Sequence, residues 1–479
     1  MKTSDSVASA MTSRNTEKEK IEHFADLPYS IITYILLKLP IKAIFTCKCV
    51  CKTWNSLILD PHFAALYSEP EPASLGFMVR TSDIKLVSNT LHLFEHQPQK
   101  KSSSLNVKFD PKFKLPLRNV NRINLPDYNP MDDKFDVANS CNGLLCLVKA
   151  KASLYLPMLS SVNHLVVCNP ITGEFIRLPE ATRLVQFSIG VGLGFQPKTN
   201  EYKVIRIWKR HYKSNIFVVE MHTLGTTTWK NIEVEPMFSS SWALDSPTCV
   251  NGALHWINFD NENRSILCLN LESEKFHSFP CPCLPGEAVL NVTMVELNGF
   301  LYLCEQISPN SCSVWLMKKY GIGESWTKVF CTDTFNGCRW NFLVCKPIKH
   351  FENGCGALLL QESHSCNNFL YFEPDKHRFT YLDIHGAESI RFESIPHIPS
   401  LISLKNLAKG NKVEVQNVHF MVTITCSLYS AYLVHIVNSY QPLHLHFDYA
   451  SYIFIWVFAD TIQEEATLKL PFYQSDGDH

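Results

Sequence analysis

The chain has 479 residues, of which 46% are hydrophobic and 19% charged, an ordinary globular balance with room for more than one domain. Its formal net charge of −1 excludes the broad basic footprint of a general nucleic-acid binder. Its 18 cysteines are scattered, and residues 1–20 carry no apolar signal-like core, so thiols in a reducing cytoplasm or nucleus are expected rather than a disulfide framework.

Residues 1–22 are polar, mixed in charge and aperiodic, and read as a disordered lead. Helical periodicity follows. Ile31, Ile35 and Leu39 recur at i, i+4 and i+8, with Ile32 and Leu36 beside them. Asp26 can cap this helix, and Pro28 sits in its first turn, where a missing N–H costs nothing. Pro40 ends it. A second short helix is expected around Ile44 and Phe45, and a third around Val50, Trp54, Leu57 and Ile58, closed by Asp60-Pro61. Three short helices over 23–67 bury too little surface to stand alone and need a neighbour. Lys38, Lys42, Lys48 and Lys52 lie in a span, Leu27 to Leu59, that has no acid. They read as a solvated face that also steers an acidic partner. Residues 68–72 read as a linker.

From about residue 73 short β-rich runs replace the helical pattern, among them 143–150, 202–208, 252–259, 299–306 and 356–362. Asn-Gly pairs at 142–143, 251–252, 298–299 and 353–354 supply the preferred type I′ hairpin turn. Aromatic residues recur in the closing strands at Phe175, Trp229, Phe276, Trp326 and Phe379, with gaps of 54, 47, 50 and 53 residues. A period near 50 in four-stranded units is the signature of kelch-type propeller blades. Five units are countable, and a sixth within 73–125 would close a ring. The predicted fold is therefore multidomain: a small all-α three-helix unit followed by an all-β kelch-like propeller over 73–404. Residues 405–479 read as a divergent C-terminal extension. Within it, 419–438 lack Asp, Glu, Lys and Arg and reach the length of a membrane span. The Thr, Ser and His content and the missing basic flank favour extra strands or a tail, as does the shorter apolar run 451–458.

Sites of chemistry are scarce. The Gly190-Val-Gly-Leu-Gly194 run lacks the spacing and the Lys-Ser/Thr of a phosphate-binding loop, and fits blade glycines. Cys47, Cys49 and Cys51 fall on different helix faces, without a second pair at zinc-finger spacing, and read as packing residues. Cys281-Pro-Cys283 would need metal partners from elsewhere. Nineteen histidines give no specific triad. No catalytic residue, metal or cofactor is expected.

Leu27-Pro28, Ile31-Ile32, Ile35-Leu36, Leu39-Pro40, Cys49-Val50-Cys51-Lys52-Thr53-Trp54, Leu57-Ile58 and Asp60-Pro61-His62-Phe63 together resemble an F-box of plant type. The resemblance implies docking onto the Skp-type adaptor of a cullin-based SCF ubiquitin ligase. It implies contact through Leu27, Pro28, Ile31, Ile32, Ile35, Leu39 and Pro40, with Val50 and Trp54 shared, and leaves Leu36, Leu57 and Ile58 internal. Ser140-Cys-Asn-Gly-Leu-Leu145, Val167-Cys-Asn-Pro-Ile-Thr-Gly173, Gly192-Leu-Gly-Phe195 and Val250-Asn-Gly-Ala-Leu-His-Trp256 resemble, in order, landmarks of the plant F-box-associated domain. Together these imply a non-catalytic substrate-recognition subunit, with cullin and RING subunits reached through the adaptor and an unknown target protein on the β domain. Rival readings are an F-box scaffold or glycan-binding module acting outside degradation, and a copper-dependent propeller oxidase whose ligands cannot be placed.

Overall fold

A computed structural model describes residues 28–67 and, between 76 and 417, the strands, some of the turns between them and the segment 397–408. Residues 1–27, 418–479 and the longer connections fall outside the described residues, and with them Asp26, Leu27 and the apolar runs 419–438 and 451–458. No helix among the described residues is long and apolar enough to cross a membrane.

The N-terminal unit has four helices: α1 (Tyr29–Leu37), α2 (Ile41–Lys48), α3 (Lys52–Ile58) and α4 (Pro61–Tyr67). The fourth corrects the three-helix expectation: Asp60-Pro61 closes the third helix, as expected, and also opens another. The Asp60 carboxylate accepts the His62 N–H at 2.7 Å, and Pro61 takes the first helical position, so the pair starts a helix. The Tyr67 hydroxyl then donates to the Leu39 carbonyl at 3.1 Å, tying α4 back to the end of α1.

Six antiparallel sheets follow among the described residues. The first contains β1 (Gly76–Asp83), β2 (Leu86–Val87), β3 (Thr90–Glu95) and β4 (Lys112–Lys114). The second contains β5 (Phe135–Cys141), β6 (Leu144–Lys149), β7 (Val166–Asn169) and β8 (Glu174–Arg177). The third contains β9 (Phe187–Gln196), β10 (Glu201–Lys209), β11 (Phe217–Thr223) and β12 (Lys230–Ile232). The fourth contains β13 (Thr248–Val250), β14 (Ala253–Asn258), β15 (Ser265–Asn270) and β16 (Lys275–Pro280). The fifth contains β17 (Asn291–Leu297), β18 (Phe300–Ser308), β19 (Ser311–Met317) and β20 (Trp326–Thr332). The sixth contains β21 (Phe342–Phe351), β22 (Gly356–Ser363), β23 (Asn367–Glu373) and β24 (Arg378–Leu382).

Local chemistry explains these units. Both residues of the Asn-Gly pairs at 142–143, 251–252 and 298–299 have positive φ, the type I′ signature, whereas the pair at 353–354 lies outside the described residues. The middle strands β7, β10 and β15 are buried on both faces and their runs are largely apolar, whereas β16 and β17 mix buried with more open positions. In β10, Tyr202 and Val204 pack toward the second sheet, while Ile205 and Ile207 pack toward the fourth. The core is therefore a series of clusters, each lying between neighbouring sheets. Gly192 and Gly194 lie in β9, where an added Cβ would come within 2.3 Å of Pro247 and 2.5 Å of Leu271. These glycines serve close approach between blades.

The sixth unit expected within 73–125 is present, but its inner strand is not local. β25 (Phe392–Pro396) returns to pair with β1, from Phe77 opposite Pro396 to Thr81 opposite Phe392, and completes the first blade from the far end of the domain. The chain then crosses the second blade as a strap. His397 Nδ1 lies 3.0 Å from the Ser140 hydroxyl, and the Asn169 amide donates to the Ser400 and Ile402 carbonyls at 2.9 and 2.8 Å. The Glu174 carboxylate accepts the Ser403 hydroxyl at 2.9 Å and the Leu404 N–H at 2.7 Å, at the start of α5 (Leu404–Leu407). β26 (Val415–Asn417) then pairs with β8 as a fifth strand of the second sheet. Strand pairing with the second blade therefore reaches residue 417. Gly143, with φ of +82°, serves its turn and the strap together, because a Cβ there would lie 2.1 Å from that of Ser400.

The apolar face of the helical unit has its neighbour within the chain. Leu36, Ile41, Ile44, Leu57, Ile58 and Phe63 share one core with Met78, Leu91, Phe113, Phe135, Leu145 and Ile395 of the first two blades. The rings of Phe45 and Phe113 stand 6.2 Å apart.

Two predictions follow from burial and bonding. Replacing Glu174 with Ala removes the acceptor that holds the strap. We expect a loss of about 1.5–3 kcal/mol in urea unfolding and new protease cleavage after residue 400. Burial also holds His255 down to about 4 and His397 down to about 3, from an ordinary 6.5. Both stay neutral in the folded protein, while the unfolded chain takes up protons below 6.5. Stability is therefore complete above that pH and falls as the pH drops toward 4 and 3. Chemical unfolding across this range should show a slope that His397→Gln reduces; an unchanged slope counts against the assignment.

Candidate functional site

The described side chains of the helical unit sort onto two faces. Ile32 and Leu36 are buried in the shared core. Ile31, Tyr34 and Lys38 follow i, i+3, i+7 spacing along the other side of α1, and all three are exposed. Tyr29, Ile31, Tyr34, Val50 and Leu59 are 46–64% exposed, and they make up five of the eight large hydrophobic residues left open among the described residues. The Lys38 ammonium lies 5.7 Å from the Tyr34 ring centroid, a contact that holds the ring up on the surface.

The expected contact residues divide accordingly. Pro28, Ile31, Pro40 and Val50 are exposed, and Ile35, Leu39 and Trp54 are half-buried, the last two packed against the core. Ile32, only 4% exposed, fills the seam with the propeller. Period 3.6 could not separate these jobs, because Ile31 and Ile32 are equally apolar neighbours and only the position of the blade decides which one turns inward. Leu27 lies outside the described residues. Leu36, Leu57 and Ile58 are internal, as expected.

Sequence reasoning missed Tyr29, Tyr34 and Leu59. Tyr34 had a readable signal in its spacing from Ile31 and Lys38. Leu59 had none, since it directly follows the buried pair Leu57-Ile58.

The lysines and cysteines resolve into separate roles. Lys38 and Lys52 are exposed, and the side chain of Lys42 lies outside the description. Lys48 is half-buried with its ammonium 5.3 Å from the Phe45 ring centroid. Burial lowers the Lys48 pKa, and the charge of Glu174 on the second blade partly opposes that shift. This lysine therefore faces the seam rather than a partner. Cys47 is in the core, and burial pushes its thiol up to about 12, so it stays protonated. The Cys51 sulfur caps α3 by accepting the Trp54 N–H at 3.4 Å. Among the described residues no group of three or more His, Cys, Asp or Glu side chains is placed to hold a metal ion.

Comparison with known proteins gives the same two parts. A family model described as the F-box domain matches residues 24–65, and one described as the F-box associated beta propeller domain matches 75–411. An F-box protein of Arabidopsis thaliana is 27% identical over 415 residues, covering 78% of this chain and 91% of its own length. An F-box/kelch-repeat protein of the same plant is 23% identical, covering 64% of this chain and 79% of its own. Among solved structures, TolB from Acinetobacter baumannii aligns at 9% identity over 67% of this chain and 71% of its own, with a TM-score of 0.31, too low to carry an argument. F-box proteins are typically non-catalytic substrate adaptors, and the F-box domain implies binding to a Skp-type adaptor. With an F-box in front and a matched propeller over 75–411, the chain belongs to the F-box proteins that carry an F-box associated β-propeller domain.

Proposed function

We propose that this chain is the substrate-recognition subunit of an SCF ubiquitin ligase, binding a Skp-type adaptor through its helices and a target protein through its propeller. The observation that carries this reading is the two-sidedness of the helical unit. One face is fused to blades one and two by a continuous core, and the other presents Tyr29, Ile31, Tyr34, Val50 and Leu59 to solvent. An apolar surface of this kind on a short helical unit suits a buried protein interface with a few dominant anchors. A unit packed onto the propeller holds a bound target at a fixed distance from whatever the adaptor carries. In an SCF assembly that is the cullin and RING subunits with a ubiquitin-charged conjugating enzyme. The chain then contributes positioning, raising the effective concentration of target lysines, and needs no catalytic group of its own. We read its compartment as the cytoplasm or nucleus.

The test is capture of the full-length chain by a purified plant Skp-type adaptor. Replacing Ile31, Tyr34 and Val50 together by Ala should weaken capture about 100-fold, with little change in unfolding temperature because all three are exposed. No capture of the wild-type chain, or equal capture of the variant, would sink the reading. Ubiquitination of bound proteins in a reconstituted assembly, compared with and without the chain, then tests the degradation step.

A further inference from the structure

Three large hydrophobic residues remain exposed outside the helical unit among the described residues: Phe300 (45%), Tyr320 (37%) and Ile322 (47%). All belong to the fifth blade. The β17–β18 and β19–β20 turns open at the same end of this antiparallel sheet. In the β18–β19 register Tyr302 faces Leu316, which brings Phe300 level with Lys318. Lys318 and Lys319 are exposed, and neither forms an ion pair among the described residues. Two lysines with no ion pair among the described residues thus share one end of the blade with three exposed apolar side chains.

The segment that carries them is pre-shaped. The Ser325 hydroxyl accepts the Lys319 N–H at 3.0 Å and lies 2.7 Å from both the Lys319 and Ile322 carbonyls. Gly321 makes the bend at φ +78° with open space around it. Tyr320 anchors the base of the turn to the fourth blade, where its hydroxyl lies 2.8 Å from His255 Nε2 and its ring stands edge-on to the imidazole at 5.5 Å. His255 Nδ1 lies 3.0 Å from the Thr248 carbonyl, to which it donates, so Nε2 accepts from the tyrosine. A loop already held in shape loses little entropy on binding.

We propose that this end of the fifth blade is the substrate-docking surface, and that it takes an acidic peptide segment with an aromatic or aliphatic anchor. The anchor packs against Phe300, Tyr320 and Ile322 while its flanking carboxylates meet Lys318 and Lys319. A basic segment would meet like charge at the same place. Glu324, the one acid within 318–325, lies beyond Gly323 and excludes a second run of carboxylates there. This inference rests on the reading of the chain as a substrate receptor and names the chemistry of what it receives.

Fluorescence anisotropy with the full-length chain tests it. The probe is a pooled set of labelled peptides, each with Leu, Phe or Tyr between Asp or Glu residues, set against the same pool with Lys in place of every acid. The acidic pool should bind and weaken with added salt, and the basic pool should not bind. Lys318→Glu with Lys319→Glu should lower affinity for the acidic pool about tenfold and create binding of the basic pool. Phe300→Ser and Ile322→Ser should each weaken binding with unchanged melting. Equal binding of both pools, no binding of either, or variants that bind like wild type would overturn the proposal. Capture by anionic vesicles without peptide binding would overturn it too, in favour of a membrane surface. Adaptor capture is measured on the same variants. Intact capture with failed peptide binding removes this surface alone; failed wild-type capture with peptide binding intact removes the ligase reading alone.

Discussion

The molecule depends on one pairing: β25 against β1. Five register partners join residues 392–396 to 77–81 and close a loop of some 300 residues, at an entropic cost on the order of 5 kcal/mol. Nothing local repays that cost. It is met by the pairing itself and by what the pairing brings together, with Met78 and Ile395 buried in the same core as the helices, and the strap bound across the second blade. Without β25 the first blade has no inner strand, and the surface that receives the F-box has no support.

That dependence links the two ends of the domain to its function. The helices pack on blades one and two, the same blades that the returning chain closes and straps. The exposed side chains of the helices are thus held from behind by the first two blades together with Ile395 and Leu401, more than 300 positions away. The candidate docking surface on blade five lies across several inter-blade clusters from this seam, each filled by apolar residues from two sheets. A close-packed series of this kind has little freedom to bend.

Much of the architecture was legible in the sequence because its signals are short-range. Asn251-Gly252 and Asn298-Gly299 announce their hairpins, since the turn needs positive φ at both positions. Phe175, Phe276 and Trp326 mark fourth strands, since each outer strand must cover its blade with a large side chain. The candidate site was half legible. Of the residues that the resemblance assigns to the contact, Ile31 and Val50 stand exposed while Ile32 lies in the core, and Tyr34, outside that set, is exposed. Both placements have one cause. A helix can show which residues share a stripe, but not which stripe a neighbour covers. The fourth helix was not legible for a similar reason, because proline ends one helix and begins another with the same fixed φ.

By itself the sequence determined the class and order of the units, the turn chemistry and the blade period, because each is set by residues within a few positions of one another. Only the tertiary structure decided how the ring closes, where the strap runs, which helix face is free and how Phe300 comes to stand beside Lys318. These are pairings between segments far apart in the chain. They are set by the summed burial of many apolar side chains, and that sum leaves no periodic trace in the sequence.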